Sequence, residues 1–320
     1  MTEFLAAEER LPGLQDFPVH LSPPDLSPWR VGNVGVEGVI SHGTDATGPH
    51  VALICLVHGN EYAGAVVLDR LLRAGLRPLV GRLTCIFANL AAFRQFDPAQ
   101  PTASRFVDED LNRVWDREVL DGPRVSAELT RARTLRPLID TVDILLDLHS
   151  MLWPSDPLML CGTTAKGRAL ATRIGVPGLI IADSGHGTGR RLMDYGPFAD
   201  PEAPAIANLI EAGQHWQAST VATTEAAVRA LLHETGLMPV PGHITVPSRA
   251  AEVTHTVSAT TSGFAFVRQF RGGEVIPERN TLIAVDGTAE IRTPYDDCLL
   301  VMPSLRPSRG HTAVRLGRVV

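Results

Sequence analysis

Lysine is nearly absent. Of the 29 basic residues in this 320-residue chain, only Lys166 is a lysine; the other 28 are arginines. A phosphate-cradling loop ending Gly-Lys-Ser/Thr is thereby excluded, because the single lysine stands in Ala165-Lys166-Gly167. A Schiff-base mechanism would have to use that one amine. Surplus positive charge is also lacking. The 35 Asp and Glu residues leave a net charge of −6, which offers no electrostatic footprint for nucleic acid or an anionic membrane. The 4 cysteines, Cys55, Cys85, Cys161 and Cys298, show no CxxC spacing. They read as free thiols in a reduced, cytoplasmic protein without disulfides. The apolar run Val51–Val57 is far too short to span a bilayer. Met1–Leu21 contains Glu3, Glu8, Glu9 and Asp16, and has neither the basic start nor the apolar stretch of a signal segment. What is plentiful is arginine, carboxylate and histidine, the last numbering 11. Metal, acid–base and anion-binding chemistry are therefore favoured.

Hydrophobic residues make up 44% of the chain, which suits a sizeable core in one large domain, or one large and one small. The first 45 residues are rich in Pro and Gly, with weak strand patterning only at Val31–Ile40, and are expected to be irregular. Continuous apolar runs follow at Val51–Val57, Leu83–Leu90, Asp143–Leu148, Leu158–Cys161, Leu179–Ala182 and Ala205–Ile210. Helical stretches at about 61–73, 125–139, 165–174 and 223–235 lie between or after them. Runs apolar on both faces predict buried strands. Their alternation with helices predicts an α/β fold: a mixed, largely parallel central sheet with helices on both faces. Pro239-Val240-Pro241-Gly242 reads as a linker or turn. Beyond it only short strand patterns occur, at Val253–Val257, Gly263–Phe270, Leu282–Ile291, Cys298–Met302 and Thr312–Val319. The expected division is an α/β catalytic domain over 1–242 and a small β-rich domain over 243–320.

The first strand ends in Val57-His58-Gly59-Asn60-Glu61. Ligands of open α/β sheets bind at the carboxyl ends of strands, and a tight turn there brings His58 and Glu61 within reach of one ion. His149, in Asp147-Leu148-His149-Ser150, ends the central apolar strand and supplies a third donor. Two histidines and one glutamate, with a fourth position open, form a catalytic rather than a structural zinc set. The segment Ser104-Arg105-Phe106-Val107-Asp108-Glu109-Asp110-Leu111-Asn112-Arg113 carries arginines, an asparagine and carboxylates. Beside a metal, one arginine suits a developing oxyanion. An Asn-Arg pair suits a substrate carboxylate. Asp110 suits the second ring nitrogen of a metal histidine. Taken alone, this segment reads equally well as a solvated, salt-bridged loop. Glu211, in Ile210-Glu211-Ala212-Gly213, ends another apolar strand. A carboxylate there is either solvent-facing or a general base beside a metal.

Together, HGNE (58–61), SRFVDEDLNR (104–113), DLHS (147–150) and IEAG (210–213) resemble the succinylglutamate desuccinylase/aspartoacylase family, within the zinc carboxypeptidase-like clan. The likeness runs from about Val51 to Gly213, and the β-rich tail resembles that family's C-terminal region. It implies one zinc ion per chain on His58, Glu61 and His149. It implies Glu211 as general base and acid, Arg105 on the oxyanion, and Asn112 with Arg113 on a substrate carboxylate. The implied activity is hydrolysis of the amide of an N-acyl amino acid. Members acting on dicarboxylates carry a further arginine shortly before the catalytic glutamate, whereas Tyr195–Leu209 has none. Arg190 and Arg191 are the nearest substitutes, and Tyr295 is a candidate to reach the site from the β-rich region. His186, His215 and Trp216 read as packing or loop surface, and Lys166 as surface.

Two other readings stay open. One is a zinc metallocarboxypeptidase acting on peptides, against which the β-rich tail argues by narrowing access. The other is a zinc- or ligand-binding module without turnover. The expected partner is a small-molecule substrate, with no nucleic acid and no membrane, and the sequence leaves a homo-oligomer open.

Overall fold

The structure is a computed structural model and describes residues 17–185, 187–239 and 248–320. Its central feature is an eleven-stranded sheet in the order β1-β3-β2-β4-β7-β5-β6-β8-β14-β13-β10. These strands are β1 (Val39–Gly43), β2 (His50–Cys55), β3 (Arg82–Phe87), β4 (Ile144–Met151), β5 (Leu158–Leu160), β6 (Leu179–Ala182), β7 (Ile206–Gln214), β8 (Arg249–Ser258), β10 (Val275–Ile276), β13 (Cys298–Val301) and β14 (Thr312–Val319). The middle of the sheet, β3-β2-β4-β7, is parallel throughout. β1 closes one edge antiparallel to β3, and β5 runs against β7. A second sheet joins β9 (Ala265–Phe266), β11 (Leu282–Asp286) and β12 (Ala289–Arg292).

The central strands are apolar on both faces because both faces are covered. Successive residues of a strand point to opposite sides. Val51, Leu53 and Cys55 of β2 share a core with helices α1 (Ala63–Arg73), α5 (Ala165–Ile174) and α6 (Ala218–Glu234). Ala52 and Ile54 of the same strand share the other core with Leu129, Ala132 and Leu135 of α4 (Ala127–Ile139). α4 begins where Ser126 caps it, its Oγ accepting from Leu129 N at 2.9 Å. Two short helices, α2 (Leu90–Phe93) and α3 (Arg117–Asp121), complete the set. The α/β class, with helices on both faces and extra β strands at the C-terminal end, is as expected from the sequence.

Some local expectations change. Residues 39–43 form a regular strand because β3 offers them an open edge. The C-terminal strands continue the main sheet: β8 lies parallel to β6 and carries β14, β13 and β10 in turn. The boundary expected at 242/243 falls in residues 240–247, outside the described residues. The run 282–291 breaks into two strands around a turn at Gly287. Lys166 is more than surface. Its ammonium donates to the carbonyls of Pro197 (2.9 Å), Ala203 (2.7 Å) and Asp200, pinning the loop that leads into β7. All four cysteines are buried free thiols. No helix among the described residues is long and apolar enough to cross a membrane.

Candidate metal centre and its cavity

Three neighbouring parallel strands bring the sequence motifs together at their C-terminal ends. β2 delivers the turn with His58 and Glu61, β4 delivers His149, and β7 delivers Glu211, which pairs in register with His149. The turn after β2 is under steric demand. Leu56, fully buried, has φ +57°, a region few side chains occupy. A Cβ on Gly59 would lie 2.5 Å from backbone atoms of Ala92, Phe93 and Ser104, so only glycine fits between α2 and the 103–105 turn. Trp216 holds the turn from the other side, donating Nε1–H to Asn60 O at 3.0 Å.

His58, Glu61 and His149 are all buried, and one donor atom from each lies within 4.8 Å of the others. His58 Nδ1 is 2.8 Å from Glu61 Oε1 without hydrogen-bond alignment between them. His149 Nδ1 is 3.0 Å from Glu61 Oε2, which also accepts from Ser150 N at 3.1 Å. Ring nitrogens and carboxylate oxygens this close together, with His58 Nδ1 left without a hydrogen-bond partner among the described residues, suit a shared cation. Neutral imidazole and carboxylate donors, three in number, are the chemistry of an open metal site. The trio therefore fits a metal ion.

The outer ring nitrogens both face carboxylates. His58 Nε2 lies 2.9 Å from Asp110 Oδ1, and His149 Nε2 lies 2.9 Å from Asp147 Oδ1. Such partners fix a ligand's ring and raise its basicity. Asp147 escaped the sequence reading. Its signal was a charged residue two positions before His149, on the same strand face, inside an apolar run. It is fully buried, which an acid does not tolerate without a neighbouring cation or donor.

The loop 104–113 is shaped from below by another unforeseen residue. Glu128, buried in the first turn of α4, accepts from the backbone N–H groups of Val107, Asp108 and Glu109 at 2.6, 3.0 and 3.2 Å, and from Asn89 Nδ2 at 2.9 Å. The loop then lays Arg105 against the trio. Its guanidinium reaches Glu61 Oε1 at 2.9 Å and Asp110 Oδ2 at 3.3 Å.

Charge and burial set the proton affinities. Burial works against ionisation of Glu61, yet the His58 and His149 rings hold its carboxyl well below the usual range. Burial likewise opposes Asp110, and His58 and Arg105 outweigh it to hold that carboxyl low. Glu211 goes the other way: burial first, then the Glu61 carboxylate, push it up to about 8. Burial takes His215 down to about 4.

These residues line a cavity of about 250 Å³ that also contains Asn112, Arg113, Arg191 and Arg315, with walls of Met151, Leu152, Trp153, Leu160 and Leu209. Asn112 Oδ1 is fixed by Leu192 N at 2.9 Å. Arg113 sits under the 187–191 loop, where Gly189 (φ +150°) passes so close that a Cβ would lie 2.2 Å from Arg113 O. Burial lowers Arg113 to about 10, and the nearby Arg105, Arg191 and Arg315 pull the same way against Asp110.

Of the sequence candidates, His58, Glu61, Arg105, Asn112, Arg113, His149, Arg191 and Glu211 converge on this cavity, and Asp110 stands behind His58. Arg190 does not converge. It lies half-exposed on the surface, 3.6 Å from Asp116 Oδ2, donating to Asp194 O. Tyr295 is not brought to the cavity either. Its hydroxyl is 2.6 Å from Thr254 Oγ1, and its ring packs under Arg318. The C-terminal region contributes Met302, Pro303, Ser304 and Arg315 instead. His215, read as packing, lines the cavity and pairs with Ser150 Oγ at 2.7 Å. His186 lies outside the described residues.

Comparisons with known proteins bear on the catalytic-domain likeness and on the fold. Residues 47–170 match the family described as the succinylglutamate desuccinylase/aspartoacylase catalytic domain. No curated protein matches the chain. Among solved structures, a succinylglutamate desuccinylase from Vibrio cholerae is 20% identical, with 89% of this chain and 86% of that one covered and a TM-score of 0.69. One from Vibrio parahaemolyticus is also 20% identical, with the same coverage and a TM-score of 0.66. A product-bound ectoine utilization protein, EutE (DoeB), from Ruegeria pomeroyi is 19% identical, with 93% and 92% covered and a TM-score of 0.63. At these identities the likeness is one of fold. The family that the four short motifs resemble, the succinylglutamate desuccinylase/aspartoacylase family, is thus the one whose catalytic domain residues 47–170 match and whose fold the chain shares.

Proposed function

We propose that this chain is a zinc-dependent amidohydrolase that removes the acyl group from an N-acyl amino acid. The observation that carries the reading is one cavity holding the buried His58–Glu61–His149 trio, the Glu211 carboxyl beside it, and Arg105 and Arg113. His58, Glu61 and His149 would hold the zinc, which when bound supplies Lewis acidity to polarise the amide carbonyl and acidify water.

The remaining work falls to the chain's own residues. Glu211 takes a proton from the attacking water and returns it to the departing amine. Its raised proton affinity suits the return step, and positive charge at the trio favours the ionised form needed for the first step. Arg105, at the mouth of the trio, faces the developing oxyanion. Asn112 and Arg113 orient the substrate carboxylate, which places the amide over Glu211. Met151, Leu152, Trp153 and Leu160 keep bulk water from the reacting bond.

We also read residues 243–320 as a β-rich unit whose task is to wall the cavity, through Met302–Ser304 and Arg315. A cavity of about 250 Å³ walled in this way is smaller than the usual drug-sized pocket of roughly 300–1,000 Å³. It favours a small metabolite over a peptide chain. The test is a hydrolysis screen of N-acetyl and N-succinyl amino acids beside C-terminally free peptides, with zinc-loaded protein. Turnover of the acyl amino acids is expected. Cleavage of peptides alone would favour a carboxypeptidase, and inactivity across the panel with zinc fully bound would leave only a binding module.

A further inference from the structure

His215 is buried and lines the cavity, yet the hydrolytic steps given to the trio, Glu211 and the arginines leave it without a task. The fold fixes its ring closely. Its own backbone N–H donates to Met151 O at 2.8 Å. Trp216, next in the chain and also buried, has φ +60°, a backbone state that costs a tryptophan on the order of 1–3 kcal/mol. The bond from Trp216 Nε1 to Asn60 O holds it there. The His215 ring then meets Ser150, its Nδ1 lying 2.7 Å from Ser150 Oγ. The Ser150 hydroxyl has no other partner among the described residues, so its proton goes to Nδ1. Nδ1 is the acceptor, and the ring's own proton sits on Nε2. Burial takes His215 down to about 4, which leaves the ring neutral at physiological pH. Nε2 has no protein partner among the described residues, and the ring borders the cavity. It offers the cavity a neutral N–H donor. The wall on this side is largely apolar. Met151, Leu152 and Trp153 follow Ser150, and the hydroxyl of Ser155 is committed to Asp156 O. The charges nearest His215 are those of Glu61, Arg105, His58 and His149, whereas Arg113 has Asp110, Arg105, Arg191 and Arg315 around it. His215 thus stands on the trio's side, away from Arg113.

We propose that His215 is a specificity-determining residue whose Nε2–H donates to a neutral oxygen on the acyl chain, beyond the scissile carbonyl. The proposal rests on the reading of the chain as an N-acyl amino acid hydrolase. With the amino acid's carboxylate on Asn112 and Arg113 and the amide at the trio, the acyl chain runs on towards the wall of Met151, Leu152 and Trp153. An oxygen there satisfies a buried donor, and a methylene leaves it unpaired. A carboxylate is a poor occupant, because the ring is neutral and Arg105 is already paired with Glu61 and Asp110. The favoured acyl group is short and carries a hydroxyl, ether or carbonyl oxygen, in place of a plain alkyl chain or an acid.

The experiment uses N-acyl derivatives of whichever amino acid the zinc-loaded protein hydrolyses best. Glycoloyl is set against propionyl, and methoxyacetyl against butyryl, with succinyl beside them. Each pair exchanges an oxygen for a methyl or methylene group at nearly constant shape. The oxygen also activates the amide inductively, so the reading is the change in each kcat/KM ratio between wild type and variant. His215→Asn keeps an amide for Ser150 and does not reach the Nε2 position. It is expected to lower both ratios by roughly tenfold, the scale of a buried donor left unpaired, while propionyl and butyryl substrates stay within about threefold. His215→Gln can place an amide N–H near the Nε2 position and should keep part of the preference. Zinc content and melting temperature should hold in both variants. Should His215→Asn fail to fold, His215→Phe, with a ring of similar size, takes its place. Unchanged ratios, an equal loss on all substrates, or succinyl favoured over methoxyacetyl in the wild type overturns the proposal and leaves the amidohydrolase reading standing. No turnover of any acyl amino acid overturns that reading, and the proposal with it.

Discussion

The two sides of the cavity are built by different means. The trio and Glu211 stand at the ends of β2, β4 and β7, three adjacent parallel strands whose register alone sets His149 against Glu211. The arginine side has no such scaffold. Arg113 comes from the loop after Asp110, Arg191 from the stretch following β6, and Arg315 from β14. They meet only because Asp183, Asp194 and the close pass of Gly189 hold them together. A sheet edge gathers chemistry through short local motifs. A charge cluster must be assembled through long-range pairs.

If the strand-end side holds the metal, its removal should give the largest effect. His58→Ala is expected to leave the protein folded with little or no zinc after exposure to a mild chelator, and without measurable turnover. Elemental analysis finding one zinc per chain in that variant would break the ligand set. Glu211→Gln comes next. It should bind zinc normally and lose roughly 10²–10⁴-fold in kcat, the scale of lost acid–base work. Wild-type kcat in this variant would remove Glu211 from the chemistry.

The arginine side should respond differently, in affinity more than in rate. Arg113→Gln removes a charge-assisted contact worth about 1.5–3 kcal/mol. KM for N-acyl amino acids is expected to rise about 10–150-fold, with zinc content unchanged. A variant that lost zinc instead would show that the two sides are not separable.

The difference in construction also explains what could be read beforehand. The α/β class followed from apolar runs alternating with helical stretches, because a two-sided core writes itself into every strand of the sheet. The trio was visible because HGNE and DLHS each sit at a strand end, where position carries meaning. Three things were hidden. Arg315 lies in a strand whose neighbours are ordinary, and only pairing of β14 with β8 and of β8 with β6 carries it to the site. Glu128 looks like any first-turn helix acid until the loop amides that it accepts from are seen. The joining of the C-terminal strands to the main sheet depends on the open edge of β6, which no local pattern announces.

Asp147 tests how far the strand-end logic extends. If it steadies His149 as Asp110 steadies His58, Asp147→Asn and Asp110→Asn should each weaken zinc binding by about 10–100-fold, the usual cost of losing an outer partner of a metal ligand. Competition with a chromophoric chelator measures this directly. A loss in one variant and not the other would show that one carboxylate alone orients its ring, and that the symmetry of the two pairs is only geometric.

The smallest effect is predicted at Tyr295, the C-terminal candidate that the structure does not bring to the cavity. Tyr295 makes its contacts with Thr254 and Arg318, away from the cavity. Tyr295→Phe removes one partly exposed hydroxyl and keeps the ring that Arg318 covers. Substitutions of this kind stay within about 0.5 kcal/mol, so kcat/KM should change by less than roughly twofold and zinc binding not at all. A tenfold fall in kcat/KM would mean that the β-rich region swings Tyr295 into the site during turnover. The wall made by Met302–Ser304 and Arg315 would then be a moving part, and the contrast between a preformed metal side and an assembled arginine side would have to be redrawn.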